Sequence, residues 1–136
     1  MLHCRLSVFG KLLLCLLLLA GCGGLKRVPV AGEVSLDGVP LPTGTINFVP
    51  IGDGISVGAE IVDGTFHLSD QTGPVAGEYR LEITSTQPSG KKIKDTDGVT
   101  ERDEIVNVIP AKYNSSSELK ATIPSDETLN LELKSK

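Results

Sequence analysis

Val30-Ala31-Gly32-Glu33-Val34-Ser35-Leu36-Asp37-Gly38 holds the pattern that decides the fold. Val30, Gly32, Val34 and Leu36 fall on one face of an extended chain, with Glu33 and Ser35 on the other. Strict alternation with period two is the mark of a half-buried strand. The Asp37-Gly38 pair that follows accepts positive φ, as a two-residue hairpin turn requires.

The same grammar repeats along the chain. Ile46 and Phe48 alternate with Thr45 and Asn47. Ile55, Val57, Ala59 and Ile61 alternate with Ser56, Gly58 and Glu60. Phe66 and Leu68 flank His67. Tyr79, Leu81 and Ile83 alternate with Arg80, Glu82 and Thr84. Leu119, Ala121 and Ile123 alternate with Lys120 and Thr122, and Leu129, Leu131 and Leu133 with Asn130 and Glu132. With the opening stretch this makes seven strands, each with one wet face. Asp63-Gly64 is a second hairpin signal, and Gly52-Asp53-Gly54, Gly73-Pro74 and Pro124 to Asp126 supply further turns. No segment keeps a helical period. Short strands separated by Gly and Pro turns predict an all-β sandwich in one domain over residues 28–136. Phe48, Phe66, Tyr79, Leu81 and Leu131 are the expected core.

Residues 86–104 break the pattern. They hold Lys91, Lys92, Lys94, Asp95, Asp97, Glu101, Asp103 and Glu104, with Ile93 and Val99 as the only clearly apolar members. So little burial predicts a mobile loop.

The N-terminus reads differently. His3, Arg5 and Lys11 form a basic start, Leu12 to Leu19 an apolar run, and Ala20 and Gly21 a small-residue close. That is the three-part plan of a secretory leader. Lys11 leaves the run well short of the ~20 apolar residues of a membrane span. Leu19-Ala20-Gly21-Cys22 resembles a bacterial lipobox. The resemblance implies cleavage between Gly21 and Cys22, acylation of Cys22, and a lipidated tether over residues 22–27. Cys4 and Cys15 leave with the leader, so no cysteine remains for a disulfide. Two or more acyl chains give a lasting anchor. Gly23 after Cys22 favours the outer membrane over the inner one.

Composition narrows the function. Removing the leader takes two of 13 basic residues and none of 17 acidic ones, which moves the formal charge from −4 to −6. An acidic chain with no Trp is a poor nucleic-acid binder, since phosphate backbones attract clustered Lys and Arg.

In order along the chain, Val30 to Leu41, Thr45 to Pro50, Val62-Asp63-Gly64-Thr65-Phe66, Gly77-Glu78-Tyr79-Arg80-Leu81 and Ile109-Pro110-Ala111-Lys112-Tyr113-Asn114 resemble the carboxypeptidase regulatory-like domain in its short bacterial lipoprotein form. That resemblance implies a seven-stranded Greek-key β-sandwich of transthyretin-like (prealbumin-like) type. It carries over no active site, and it implies a non-catalytic module.

The remaining chemistry is sparse. His67 is the sole histidine after the leader, and its place between Phe66 and Leu68 turns it to solvent. A Ser-His-Asp site would have to use it, with no nucleophile signature nearby. Tyr113 is expected to pack its ring and satisfy its hydroxyl on backbone. Asp95-Thr96-Asp97-Gly98 opens like a calcium loop, but Gly98 stands at position four where the EF-hand needs it at six. Asp95, Asp97, Asp103 and Glu104 are the alternative calcium ligands, and a solvated acidic loop without metal or cofactor is the favoured reading. The functional expectation is a lipid-anchored module of the cell envelope that binds an envelope protein or polymer. The alternative is a periplasmic small-molecule or calcium-binding carrier, and after that an enzyme with a cryptic site.

Overall fold

The computed structural model describes residues 23–125 and 128–136. The chain is all-β, and its one helical element among those residues is a single 3-10 turn, Ala111–Tyr113. The strands are β1 (Val30–Leu36), β2 (Val39–Pro40), β3 (Thr43–Pro50), β4 (Val57–Val62), β5 (Thr65–Leu68), β6 (Gly77–Thr84), β7 (Thr86–Lys94), β8 (Glu101–Asn107), β9 (Lys120–Ile123) and β10 (Leu129–Leu133).

One curled sheet runs β10-β1-β5-β4-β3-β6-β9, with β2 paired to β1 beside it. Its neighbours are antiparallel except β1 and β10, which pair in parallel from Gly32↔Leu129 to Leu36↔Leu133. All seven alternating segments of the sequence are strands of this sheet. The turns agree as well. Asp37 and Gly38 have φ of 52° and 82°, and Asp63 and Gly64 have 49° and 79°. Positive φ at both central residues is the primed turn that matches the twist of a hairpin.

Period-two alternation becomes burial. Val30, Val34, Ile46, Phe48, Ala59, Ile61, Phe66, Leu68, Tyr79, Leu81, Ile83, Ile123 and Leu133 form the core, with Leu41 and Ile109 contributed from outside the strands. Phe48 sits at its centre, 6.1 Å from the Phe66 ring and 6.2 Å from the Tyr79 ring in a T-shaped contact. Tyr79 buries its ring and donates its hydroxyl to the Val75 carbonyl at 3.0 Å, as a buried Tyr must.

Three expectations are corrected. Leu131 is half-buried on the edge strand β10, whose inward residues are covered fully only at Leu133. Ile55 lies before β4 and is exposed, because pairing with β3 starts only at Val57. The loop expected over residues 86–104 is an antiparallel ribbon of β7 and β8, paired from Thr86↔Asn107 to Lys94↔Glu101 with a register shift between Pro88 and Lys92. Its outer turn is built by Asp97, whose carboxylate accepts from the Val99 and Thr100 backbone N–H groups at 2.9 and 2.8 Å. Backbone pairing needs no apolar face, so the ribbon forms without the burial that the sequence lacked.

The base of the ribbon is clamped to the sheet. β6 runs into β7 through Ser85, which is buried and donates its hydroxyl to the Thr43 carbonyl at 2.7 Å. The Asn107 side-chain oxygen accepts from the Ser85 and Ile109 backbone N–H groups, both at 3.1 Å. Asn107→Ala leaves two part-buried donors without their partner, at a local cost of about 1–3 kcal/mol. The expected result is faster amide exchange at Ser85 and Ile109, with the Phe48 core region unchanged.

The pairing fixes two ends. β1, β4, β6 and β10 start at the end where β3, β5 and β9 finish. The described chain enters there. Arg27 bridges Val75 and donates a guanidinium N–H to the Gly73 carbonyl at 2.8 Å, and Val28 donates its N–H to the Pro74 carbonyl at 2.8 Å. The far end carries both Asp-Gly turns and the ribbon. It also holds the C-terminus, where the Ser135 N–H reaches the Asp37 carboxylate at 3.0 Å.

Candidate functional site

The longest exposed element is the ribbon. Every residue of β7 except Ile93, and every residue of β8 except Glu104, is exposed. It therefore presents two faces and two strand edges to solvent. Its β7 strand carries Lys91, Lys92 and Lys94, and its β8 strand Glu101, Asp103 and Glu104. Lys92 pairs with Asp103 across the ribbon at 2.7 Å. Ile105 and Val106 are exposed near the clamped base. Such an element can add a strand to, or accept one from, another chain.

The four carboxylates considered for calcium lie on this ribbon and are not brought together. Asp97 faces its own turn, where the Thr100 hydroxyl and then the Thr100 and Val99 backbone N–H groups hold its carboxyl below the usual range. Asp95 accepts from the Thr96 N–H at 2.7 Å and lies 3.7 Å from Arg102. Asp103 is on Lys92, and Glu104 accepts from the Ser89 hydroxyl at 2.6 Å. Asp103 and Glu104 are also consecutive on a strand, so they point to opposite faces. Among the described residues no three His, Cys, Asp or Glu side chains gather as a metal site.

A second feature is an open groove of about 300 Å³ on the outer side of β1, lined by Glu33, Ser35, Asp63, Thr65, Asn130 and Glu132 over Val34 and Pro40. Three carboxylates line it with no base. His67 is exposed on the next outward position of β5 beyond Thr65, opposite Ala31 of β1. The groove thus offers hydroxyls and acids without a nucleophile–base pair.

Tyr113 is half-buried against the core, and its hydroxyl accepts from the Lys134 backbone N–H at 3.1 Å. The Lys112 ammonium stands 5.1 Å from the ring centroid. The tyrosine thereby ties the 3-10 turn to the end of β10. Gly21 and Cys22 lie outside the described residues. Among the described residues no helix is long and apolar enough to cross a membrane.

No protein-family model, curated protein or solved structure matches the chain. The features on which function can be argued are therefore its own. The ribbon was missed in sequence because it does not alternate. The signal that could have found it is the Asp97-Gly98 pair, flanked by stretches of opposite charge that face each other once the chain folds back.

Proposed function

We propose that the protein is a lipid-anchored, non-catalytic binding module of the cell envelope that carries its β7–β8 ribbon as the recognition arm. The observation that carries this is the place of the ribbon. It is clamped at its base by Ser85 and Asn107, exposed on both faces, and set at the end opposite the point where the chain enters at Arg27 and Val28. An anchor at Cys22 would put the entry end toward the membrane and the arm away from it. Exposed strand edges and a rim of mixed charge suit an envelope protein as partner, through strand addition and electrostatic registration.

The finer fold belongs to the same reading. Seven strands with one face turned to the core, two of their connections being Asp-Gly turns, favour a seven-stranded Greek-key β-sandwich of transthyretin-like, carboxypeptidase regulatory-like type. Cleavage between Gly21 and Cys22, acylation of Cys22 and delivery to the outer membrane complete it.

Two readouts test the proposal. Cells fed a palmitate analogue should label the wild-type chain and not Cys22→Ser. A photoreactive side chain at Ile105 or Val106 should yield one discrete cross-linked species in membranes, while the same probe at His67 should not. Labelling of Cys22→Ser refutes the anchor. Identical cross-links from His67 and the ribbon refute the arm.

A further inference from the structure

We infer that the entry end of the domain rests on the lipid surface, with Leu25, Ile51 and Ile55 dipping into the boundary between headgroups and acyl chains. The inference rests on the anchor at Cys22 proposed above and adds a protein–lipid contact to it.

The first support is the apolar surface at that end. Leu25 is 73% exposed, Ile51 48% and Ile55 67%. Ile51 and Ile55 bracket one tight turn, Gly52-Asp53-Gly54, between β3 and β4. The turn is tied down where it leaves β3, because the Ile51 N–H donates to the Glu78 carbonyl at 2.9 Å. Glu78 lies three residues beyond Val75, the residue bridged by Arg27. The two isoleucines thus sit on the same end of the sheet as the incoming chain.

The second support is reach. Backbone docking begins at Arg27, so only residues 22–26 are free to span from an acylated Cys22 to the domain. A chain extends at most ~3.3–3.6 Å per residue, which keeps the docked Arg27 within about 18 Å of the anchored residue. Interfacial apolar groups enter a bilayer by ~5–10 Å. A domain held that close, with an exposed aliphatic pair on the facing turn, buries the pair in lipid.

Charge identifies the surface further. The same end carries Lys26 but also Asp53, Asp70 and Glu78, all exposed. It has no basic excess for anionic headgroups, so the contact is apolar and indifferent to lipid charge. Salt should leave it unchanged, unlike a polybasic attachment.

The experiment uses the acylated chain from Cys22 onward in phosphatidylcholine vesicles. The mature sequence has no cysteine besides Cys22, so single cysteines can be placed at Ile51, Ile55, Val39 and Val62 and labelled with an environment-sensitive nitrobenzoxadiazole dye. Val39 and Val62 are comparably exposed, at 63% and 50%, but belong to the far end. The expected result is a blue-shifted emission at Ile51 and Ile55 only. Quenching by spin-labelled lipid should be at least about twofold stronger there than at the far end, as a depth of ~5–10 Å requires. Dyes at all four sites behaving alike would overturn the inference. So would a blue shift without lipid quenching, which is the signature of a second copy covering the turn. A chain that fails to float with the vesicles would remove the anchor itself, and that outcome is read separately from the dye.

Discussion

Phe66→Ala should lower the stability of the domain by about 3–5 kcal/mol, the usual cost of emptying a buried aromatic site. Phe66 is 4% exposed, faces the core from β5 and stands 6.1 Å from Phe48. Its neighbours are strands of one hydrogen-bonded sheet, so they cannot close around the void without breaking register. A domain of this size holds roughly 5–15 kcal/mol in all. The variant should therefore melt on the order of 10–20 °C lower by circular dichroism. A loss under about 1 kcal/mol would mean the site repacks freely, which the interlocked ring contacts do not permit.

The second large effect concerns a residue with no side chain. Gly32 pairs with Phe66 on one side and Leu129 on the other. A Cβ there would stand 2.5 Å from the Leu129 carbonyl oxygen and 2.5 Å from the Phe66 ring. Either β10 must retreat or the ring must leave its place. Gly32→Ala should therefore cost about 1–3 kcal/mol as an overpacked site. The two variants should also couple. Phe66→Ala removes the ring that crowds position 32, so the double variant should lose about 0.5–3 kcal/mol less than the two singles together. Strict additivity in urea unfolding would show that the ring gives way without cost and that only the Leu129 carbonyl resists.

These two residues also show what could be read from sequence. Phe66 is legible because it alternates with Thr65 and His67 after an Asp-Gly turn. The same alternation marks every strand that buries one face, and it is why Phe48, Tyr79 and Leu81 are core as expected. Gly32 is legible only as a position on the inward face, since the crowding comes from β10, far away in the chain. The ribbon shows where that pattern stops. Period two reports burial, and it is silent where strands form without burying anything. β7 and β8 pair through backbone, an Asp97 turn and the Lys92–Asp103 bridge, so the pattern of their side chains says loop. Leu131 fails in the opposite way. Its period is right, but on this edge strand only Leu133 reaches full cover, and no local pattern reveals which position of an edge is left half-open. Among the candidate sites, the solvent-facing His67 and the backbone-bonded Tyr113 hydroxyl follow from local grammar. The Ser85–Asn107 clamp does not, because its partners are 22 residues apart and polar.

The parallel pairing of β1 with β10 sets when this molecule can become itself. The first strand of the sheet waits for the last one, and the Ser135 N–H that meets Asp37 comes from 98 residues away. Contacts of such long sequence separation are slow to form, because the loop between them must be closed before they repay its entropy. Until Leu129–Leu133 has been made and released, β1 has no β10 to receive. A chain of this design stays open until β10 arrives, and a premature stop before Leu129 yields a polypeptide whose β1 edge is bare and ready to pair with a stranger.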